Sequence, residues 1–291
     1  MRNQFDVAKS EALLEALPFI QRFRGQTFVI KYGGSAMEDD HLIERLLRDV
    51  VFLEAVGINP VLVHGGGKAI TQRMREAGRP PRFVQGLRVT DGSAIRIVEE
   101  VLDRSIRPRI VETMRDFGGR AEGFSGRDVF IAKRLPPQTD GKNLVDVGFV
   151  GEVVSLNLEQ VREAVEREVV PVISPIAQTD EGIILNVNAD AAAGAMAGAL
   201  KASKMIYVSD VMGVMRDVKE PNSLIPTVHC AQVAQLIEDE IIEGGMIPKV
   251  QSAVSALSQG VAKVHLIDGR IPHALLLEIF TVSGIGTEVV P

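Results

Sequence analysis

The chain has 291 residues, 46% of them hydrophobic, and a mean hydropathy of +0.14, which excludes a disordered polymer and allows a sizeable core in one α/β unit or two lobes. A net charge of −6 and an isoelectric point near 5.5 argue against nonspecific nucleic-acid binding, so an anionic ligand must be held by local dipoles and placed cations. One cysteine, Cys230, excludes an internal disulfide, no apolar run approaches the ~18 residues of a membrane span, and charges stand where a signal peptide would be apolar, all of which points to the cytoplasm.

Residues 6–17 (DVAKSEALLEAL) place Leu13, Leu14 and Leu17 on one helical stripe, and Pro18 is expected to interrupt the helix. A helix ahead of the first core strand packs either on its own fold or on another subunit. The organising stretch follows: in Thr27–Ala36, TFVIKYGGSA, an apolar strand buried on both faces runs into Lys31, Gly33 and Gly34. Glycines let backbone amides approach a ligand, and a lysine at such a strand end is a natural partner for phosphate. Ile43, Leu46, Leu47, Val50 and Leu53 then recur at helical spacing up to Gly57.

PVLVHGGGKA gives a strand over Val61–Val63, His64, three glycines and a helix from Lys68, a second anion-binding arrangement of free amides at a helix start. His64 is read as bonding the loop, not as a catalyst. Arg88, in QGLRVTD, lies in a short polar turn before a helix over 93–114; its fork suits carboxylates, and by pattern alone it is a surface ion pair. A strand-and-glycine segment spans 118–128. Residues 130–156, with turns at Pro136–Pro137 and Asp140–Gly141, read as hairpins at a sheet edge, a lid over a small ligand.

Val169–Ile173 is another buried strand. The second half repeats the pattern: Asn186-Val-Asn-Ala-Asp190 leads into the alanine-rich helix AAAGAMAGAL, and the strand Met205–Val208 ends in Ser209-Asp210 and Gly213. An amphipathic helix is expected over 231–242, Gly244-Gly245-Met246 opens the segment carrying Lys249, and Val264–Ile267 is a late strand. Alternating strands and helices imply a three-layer αβα sandwich around a mostly parallel central sheet, with two lobes meeting near residue 175.

There is no Walker sequence, no G-x-G-x-x-G turn after the first strand, no Cys/His cluster and no G-x-S-x-G. What remains is a set of cations and amides at several strand ends, the equipment that phosphoryl transfer requires. Taken in order, KYGG, VLVHGGG, GLRVTD, NVNAD, SDVMGV and GGMIPKV resemble the amino acid kinase superfamily, and within it the acetylglutamate kinase family. The resemblance covers the chain from Thr27 onward. It implies ATP-dependent phosphorylation of the γ-carboxylate of N-acetyl-L-glutamate, in arginine biosynthesis, on the amino acid kinase fold.

Carried over by residue, the resemblance implies that Lys31 neutralises the moving phosphoryl group on the attacking side and Lys249 on the nucleotide side, with Asp190 orienting both. Gly33, Gly34 and Gly66 would surround that group, Gly67 would help cradle the acceptor, and Arg88 and Asn186 would grip its carboxylate and acetamide ends, which replaces the surface-pair reading of Arg88. Asp210, Val211, Gly213, Val214 and Met215, with Ile241 and Ile242, match the adenine and ribose side. Mg²⁺ would accompany ATP, held by phosphates and water with no protein ligand assigned.

The leading helix and the closing HLIDGR … HALLLEIFTVSGIGTEV are similar to the arginine-inhibited branch. That similarity implies a hexamer, a trimer of dimers interlaced by residues 1–24, with arginine contacting His265, Glu278 and Gly284. It divides the rest into an acceptor lobe, 25–175, and a nucleotide lobe, 176–291, and brings a nitrogen-signalling regulatory protein into consideration as a partner. Lys68 and Val129 stand where relatives commonly have proline and glycine. The competing readings are another acid or carbamate kinase of the same fold, and a non-catalytic module that senses nucleotide or arginine.

Overall fold

The computed structural model describes residues 2–37 and 39–291, with residues 2–9, 35, 36 and 221 described by backbone alone. Helix α1 (Arg2–Phe23) runs through Pro18 and corrects the expected interruption there. Proline removes the amide that would reach Leu14, but Leu14 is exposed, so water can satisfy that carbonyl. Beyond the proline, Phe23 packs edge-on against Phe28 at 5.3 Å between ring centres and ties the helix to the core. Leu13 and Leu14 are each 66% exposed, so the apolar stripe does not pack on its own chain.

Strand β1 (Thr27–Tyr32), helix α2 (Asp40–Ala55), β2 (Asn59–His64) and α3 (Gly67–Glu76) follow as the sequence predicts. The hairpin β3 (Phe83–Val84) and β4 (Leu87–Arg88) precedes a long helix made of α4 (Ala94–Glu99), a π-helical turn (Glu100–Ile106) and α5 (Arg107–Asp116). Next come β5 (Ala121–Phe124), α6 (Gly126–Val129), β6 (Phe130–Arg134), the hairpin β7 (Gln138–Thr139) and β8 (Leu144–Val145), β9 (Val150–Leu156) and α7 (Glu159–Glu166). The second half adds β10 (Val170–Ile173), β11 (Ile176–Gln178), β12 (Ile184–Val187), α8 (Ala189–Ala199), β13 (Lys204–Ser209) and β14 (Thr227–His229). It closes with α9 (Val233–Glu238), α10 (Met246–Ser258), β15 (Lys263–Asp268), α11 (Ala274–Phe280) and β16 (Thr287–Val290).

Eight strands form one sheet in the order β14-β16-β15-β13-β1-β2-β10-β5, and every neighbouring pair is parallel except β15–β16. Alternation along β1 builds the layers. Phe28, Ile30 and Tyr32 join Leu47 and Val50 of α2, Ile110 and Met114 of α5 and Leu275 of α11 in one core. Val29 points the other way, into a core with Val161 of α7, Ala192, Ala193 and Met196 of α8 and Val250 of α10. The result is the mostly parallel αβα sandwich.

Two local expectations are corrected. Residues 130–156 do not lie at the sheet edge: β6 and β9 close into a four-stranded barrel with β11 and β12. The hairpin's free edges would otherwise expose unpaired backbone, and the two short strands after β10 cover both. The helix expected over 231–242 ends at Glu238, because Glu240 turns left-handed at φ 56° and the amides of Ile241 and Ile242 both donate to the Leu236 carbonyl.

Candidate active site

Three side chains from distant parts of the chain meet at the C-terminal end of β1. Lys31 Nζ lies 2.8 Å from Asp190 Oδ1, an ion pair without hydrogen-bond alignment, and Lys249 Nζ donates to Oδ2 at 2.9 Å. Asn188 sets Asp190 in place: it caps α8, its side-chain oxygen accepting from the amides of Asp190 (2.8 Å) and Ala191 (3.2 Å). Lys249 sits in the first turn of α10, and one turn on Ser252 accepts from the Tyr207 hydroxyl (2.6 Å) and donates to the Asp190 carbonyl (3.1 Å). The starts of α8 and α10 are thereby pinned together. Burial alone would push the Asp190 carboxyl up, but the two ammonium groups outweigh it and hold the carboxyl below its ordinary value.

The glycine loops stack beside this centre. A side chain at Gly33 would place its Cβ 2.7 Å from Lys31 Nζ, and one at Gly66 would meet Leu102 Cδ2 at 2.5 Å, so a Cβ at either position would displace the Lys31 or the Leu102 side chain. The Gly65 amide donates to the Tyr32 carbonyl at 2.6 Å and joins the two loops. His64 bonds the loop as expected: its Nδ1 donates to the Gly65 carbonyl at 2.8 Å, and burial pushes the imidazole down to about 4, which keeps it neutral.

A cleft lined by Lys31, Gly34, Gly66, Gly67, Arg88, Asn186 and Asp190 opens between these loops. Arg88 is only 7% exposed and has no carboxylate partner among the described residues, so it is not a surface ion pair. Its Nη2 donates to the Gly67 carbonyl (2.7 Å) and Thr71 Oγ1 (2.9 Å), and its guanidinium lies 4.7 Å from the Phe83 ring centre. Asn186 Nδ2 donates to Thr90 Oγ1 at 3.3 Å. A buried guanidinium stacked on an aromatic face and supplied only with neutral acceptors is an anion receptor.

On the other side of Lys249, a cavity of about 450 Å³ is lined by Asp210, Val211, Gly213, Val214, Met215 and Ile241, with Gly245, Met246 and Arg270. Ile242 does not line it; that side chain is buried in the core. The third predicted group lies elsewhere. His265 Nδ1 donates to Glu278 Oε1 at 2.6 Å, and Glu278 Oε2 accepts from the amides of Ile285 (2.7 Å) and Gly286 (3.0 Å). Gly284, at φ 62°, leaves room for that carboxylate, since a Cβ there would stand 2.7 Å from Oε2. Burial opposes the Glu278 charge, yet His265 and the two amides hold its carboxyl low.

Several positioning groups were not legible from pattern. Lys204 Nζ donates to His265 Nε2 at 2.8 Å, although a lysine opening a strand looks like a solvated end. Tyr207 and Ser252 lie 45 positions apart and carry no motif. Asn188 did carry a signal: an asparagine just before an alanine-rich helix is a capping residue.

The chain belongs to the amino acid kinase family, whose model matches residues 26–268. Its relatives include the acetylglutamate kinase of Akkermansia muciniphila, 48% identical over 285 residues, which cover 98% of this chain and 96% of that one. The acetylglutamate kinase of Methanocaldococcus jannaschii is 47% identical, with 97% of this chain and 96% of the other covered. Among solved structures, Neisseria gonorrhoeae N-acetylglutamate synthase complexed with coenzyme A and N-acetyl-glutamate superimposes with a TM-score of 0.84 at 24% identity. That match covers 97% of this chain and 63% of the synthase. Carbamate kinase from Giardia lamblia bound to AMP-PNP gives a TM-score of 0.65 at 15% identity, covering 91% and 98%. Both likenesses speak to the fold.

Proposed function

We propose that this chain is an acetylglutamate kinase: it transfers the γ-phosphoryl group of ATP to the γ-carboxylate of N-acetyl-L-glutamate, a step of arginine biosynthesis, as the names of its relatives indicate. The observation that carries the mechanism is the convergence of Lys31 and Lys249 on one carboxylate at 2.8 and 2.9 Å. Two ammonium groups held at a fixed spacing stabilise the charge that spreads over a phosphoryl group in flight, and Asp190 keeps them there without reacting. The acceptor lies in the cleft of Arg88 and Asn186, one carboxylate on the guanidinium and the acetamide on Asn186. Gly66 and Gly67 hold the reacting end, and Gly33 and Gly34 offer amides to the phosphoryl group.

The nucleotide fills the cavity from Asp210 to Met215 and Ile241, which gives residues 25–175 mainly to the acceptor and 176–291 mainly to ATP. Both Asp190 oxygens face ammonium groups, so Asp190 is not assigned as a metal ligand; Mg²⁺ would be held by the ATP phosphates and water and would offset phosphate charge there. The Lys204–His265–Glu278 group supports a second function, feedback by arginine, whose guanidinium would exchange for part of the Glu278 bonding. The exposed stripe of Leu13, Leu14 and Leu17 supports assembly through α1 into a hexamer. A cytoplasmic setting suits an ATP-dependent biosynthetic step, and no described helix is long and apolar enough to cross a membrane.

The test is an ATP-dependent assay of acetylglutamate against glutamate, aspartate and carbamate, repeated with arginine. Acetylglutamate should be turned over at least about 100-fold faster in kcat/KM than glutamate, because a site that hydrogen-bonds an acetamide leaves its buried groups unpaired without one. Equal rates would sink the acceptor assignment.

A further inference from the structure

Strand β15 ends at the wall of the nucleotide cavity in Asp268-Gly269-Arg270, a turn whose Arg270 lines the cavity but has been given no role so far. Asp268 is 5% exposed, while the Arg270 side chain is half exposed and lines the cavity together with Asp210, Gly245 and Lys249. The Arg270 guanidinium is not loose. Its Nε donates to Asp268 Oδ1 at 2.9 Å and its Nη2 to Oδ2 at 2.7 Å, while its own backbone amide donates to Oδ1 at 2.9 Å. The turn is fixed from the other side as well: the Gly269 amide donates to the Ser209 carbonyl at 2.8 Å, at the end of β13 and next to Asp210.

This geometry fixes more than position. A carboxylate on the Nε–Nη2 edge sets the plane of the guanidinium and leaves the Nη1–Nη2 edge, a second pair of donors with the spacing of two phosphate oxygens. Charge gives that edge a use. Lys31 and Lys249 share Asp190, so those three groups together carry a single net positive charge, while a nucleoside triphosphate brings several negative ones. The location selects the phosphates over the base: Arg270 shares its cavity with Lys249, and Asp210 beside it is 3.7 Å from where a Gly34 Cβ would stand, at the glycine-loop end.

We infer that Arg270 is a nucleotide-binding residue that grips the polyphosphate of the triphosphate through its Nη1–Nη2 edge, with Asp268 as the positioning residue that presents it. The inference rests on the assignment of this cavity to ATP. Calorimetric titration of the full chain with ADP and with adenosine tests it, on the wild type, Arg270→Ala, Arg270→Lys and the double variant Asp268→Asn/Arg270→Ala. Arg270→Ala should weaken ADP about tenfold or more and leave adenosine within about twofold, since a charge-assisted pair is worth roughly that factor. Lysine should restore part of the loss, and KM for ATP should rise with KM for the acceptor unchanged.

The double variant removes the buried unpaired carboxylate, so its selective loss of ADP cannot come from a collapsed turn. Unchanged ADP affinity in Arg270→Ala, or an equal loss of ADP and adenosine in both alanine variants, overturns the inference while leaving the cavity's assignment intact. A wild type that binds neither ligand overturns both.

Discussion

Two carboxylates, the part-buried Asp190 and the buried Glu278, are each approached by a cation or a histidine, and they differ in what completes their bonding. Asp190 meets two full ammonium groups from opposite halves of the chain, and that cluster opens on a cleft to each side. Glu278 meets one imidazole and two amides of its own following loop, with Lys204 one step behind the imidazole. The first arrangement keeps excess positive charge facing the clefts. The second closes on itself, so a ligand must displace part of it. One suits a charge in transit and the other a molecule that rearranges the loop it binds.

The comparison breaks most decisively at Lys249. Lys249→Ala should lower kcat by about 10² to 10³ or more while ATP binding stays measurable in a fluorescence titration, because the lost donor acts on the moving group. Undiminished turnover would remove Asp190's cluster from the chemistry. Arg88→Ala should raise KM for acetylglutamate by roughly 10- to 100-fold with little change in KM for ATP, which separates the acceptor cleft from the cavity across Lys249.

Glu278→Gln should abolish arginine inhibition and leave kcat without arginine within about twofold, because no group of the first cluster touches it. An inhibition curve that matches the wild type would contradict the arginine assignment. Deletion of residues 1–24 should lower the mass in light scattering from hexamer to dimer and weaken the inhibition. It also strips Phe23 from Lys204, over which the ring now lies at 5.3 Å.

The smallest effect concerns Lys204, whose ammonium burial pulls down from 10.5 to about 8. The folded value of this base is depressed, so between those two values the unfolded chain binds the proton more tightly, and stability from this group rises with pH. In Lys204→Met that rise should vanish, and the Tm of the wild type should gain a few degrees on the variant between about pH 8 and about pH 10. A constant difference in Tm would mean that Lys204 does not titrate there.

Much of this was legible in the sequence, for physical reasons. Lys31 and the glycines after β1 and β2 are signalled locally, because a buried strand that runs into glycines leaves bare backbone amides at its end. The exit of the arginine from the surface was less visible: Arg88 reads as a solvated turn until β3 and β4 are seen to fold it under Phe83. The barrel was illegible, since the partners that close it, β11 and β12, are short and lie far along the chain. The continuation of α1 past Pro18 depends on the exposure of Leu14, which periodicity does not report.

The pairing of β1 has a consequence for how the protein is made. One side of β1 is taken by β2 soon after it, but the other waits for β13, with Phe28 facing Lys204. At about 5 to 20 residues per second, a ribosome needs roughly ten to thirty seconds to deliver that partner. Throughout that interval this apolar strand of the nascent chain carries an open edge, and a chaperone that shields it has its best opportunity before β13 emerges.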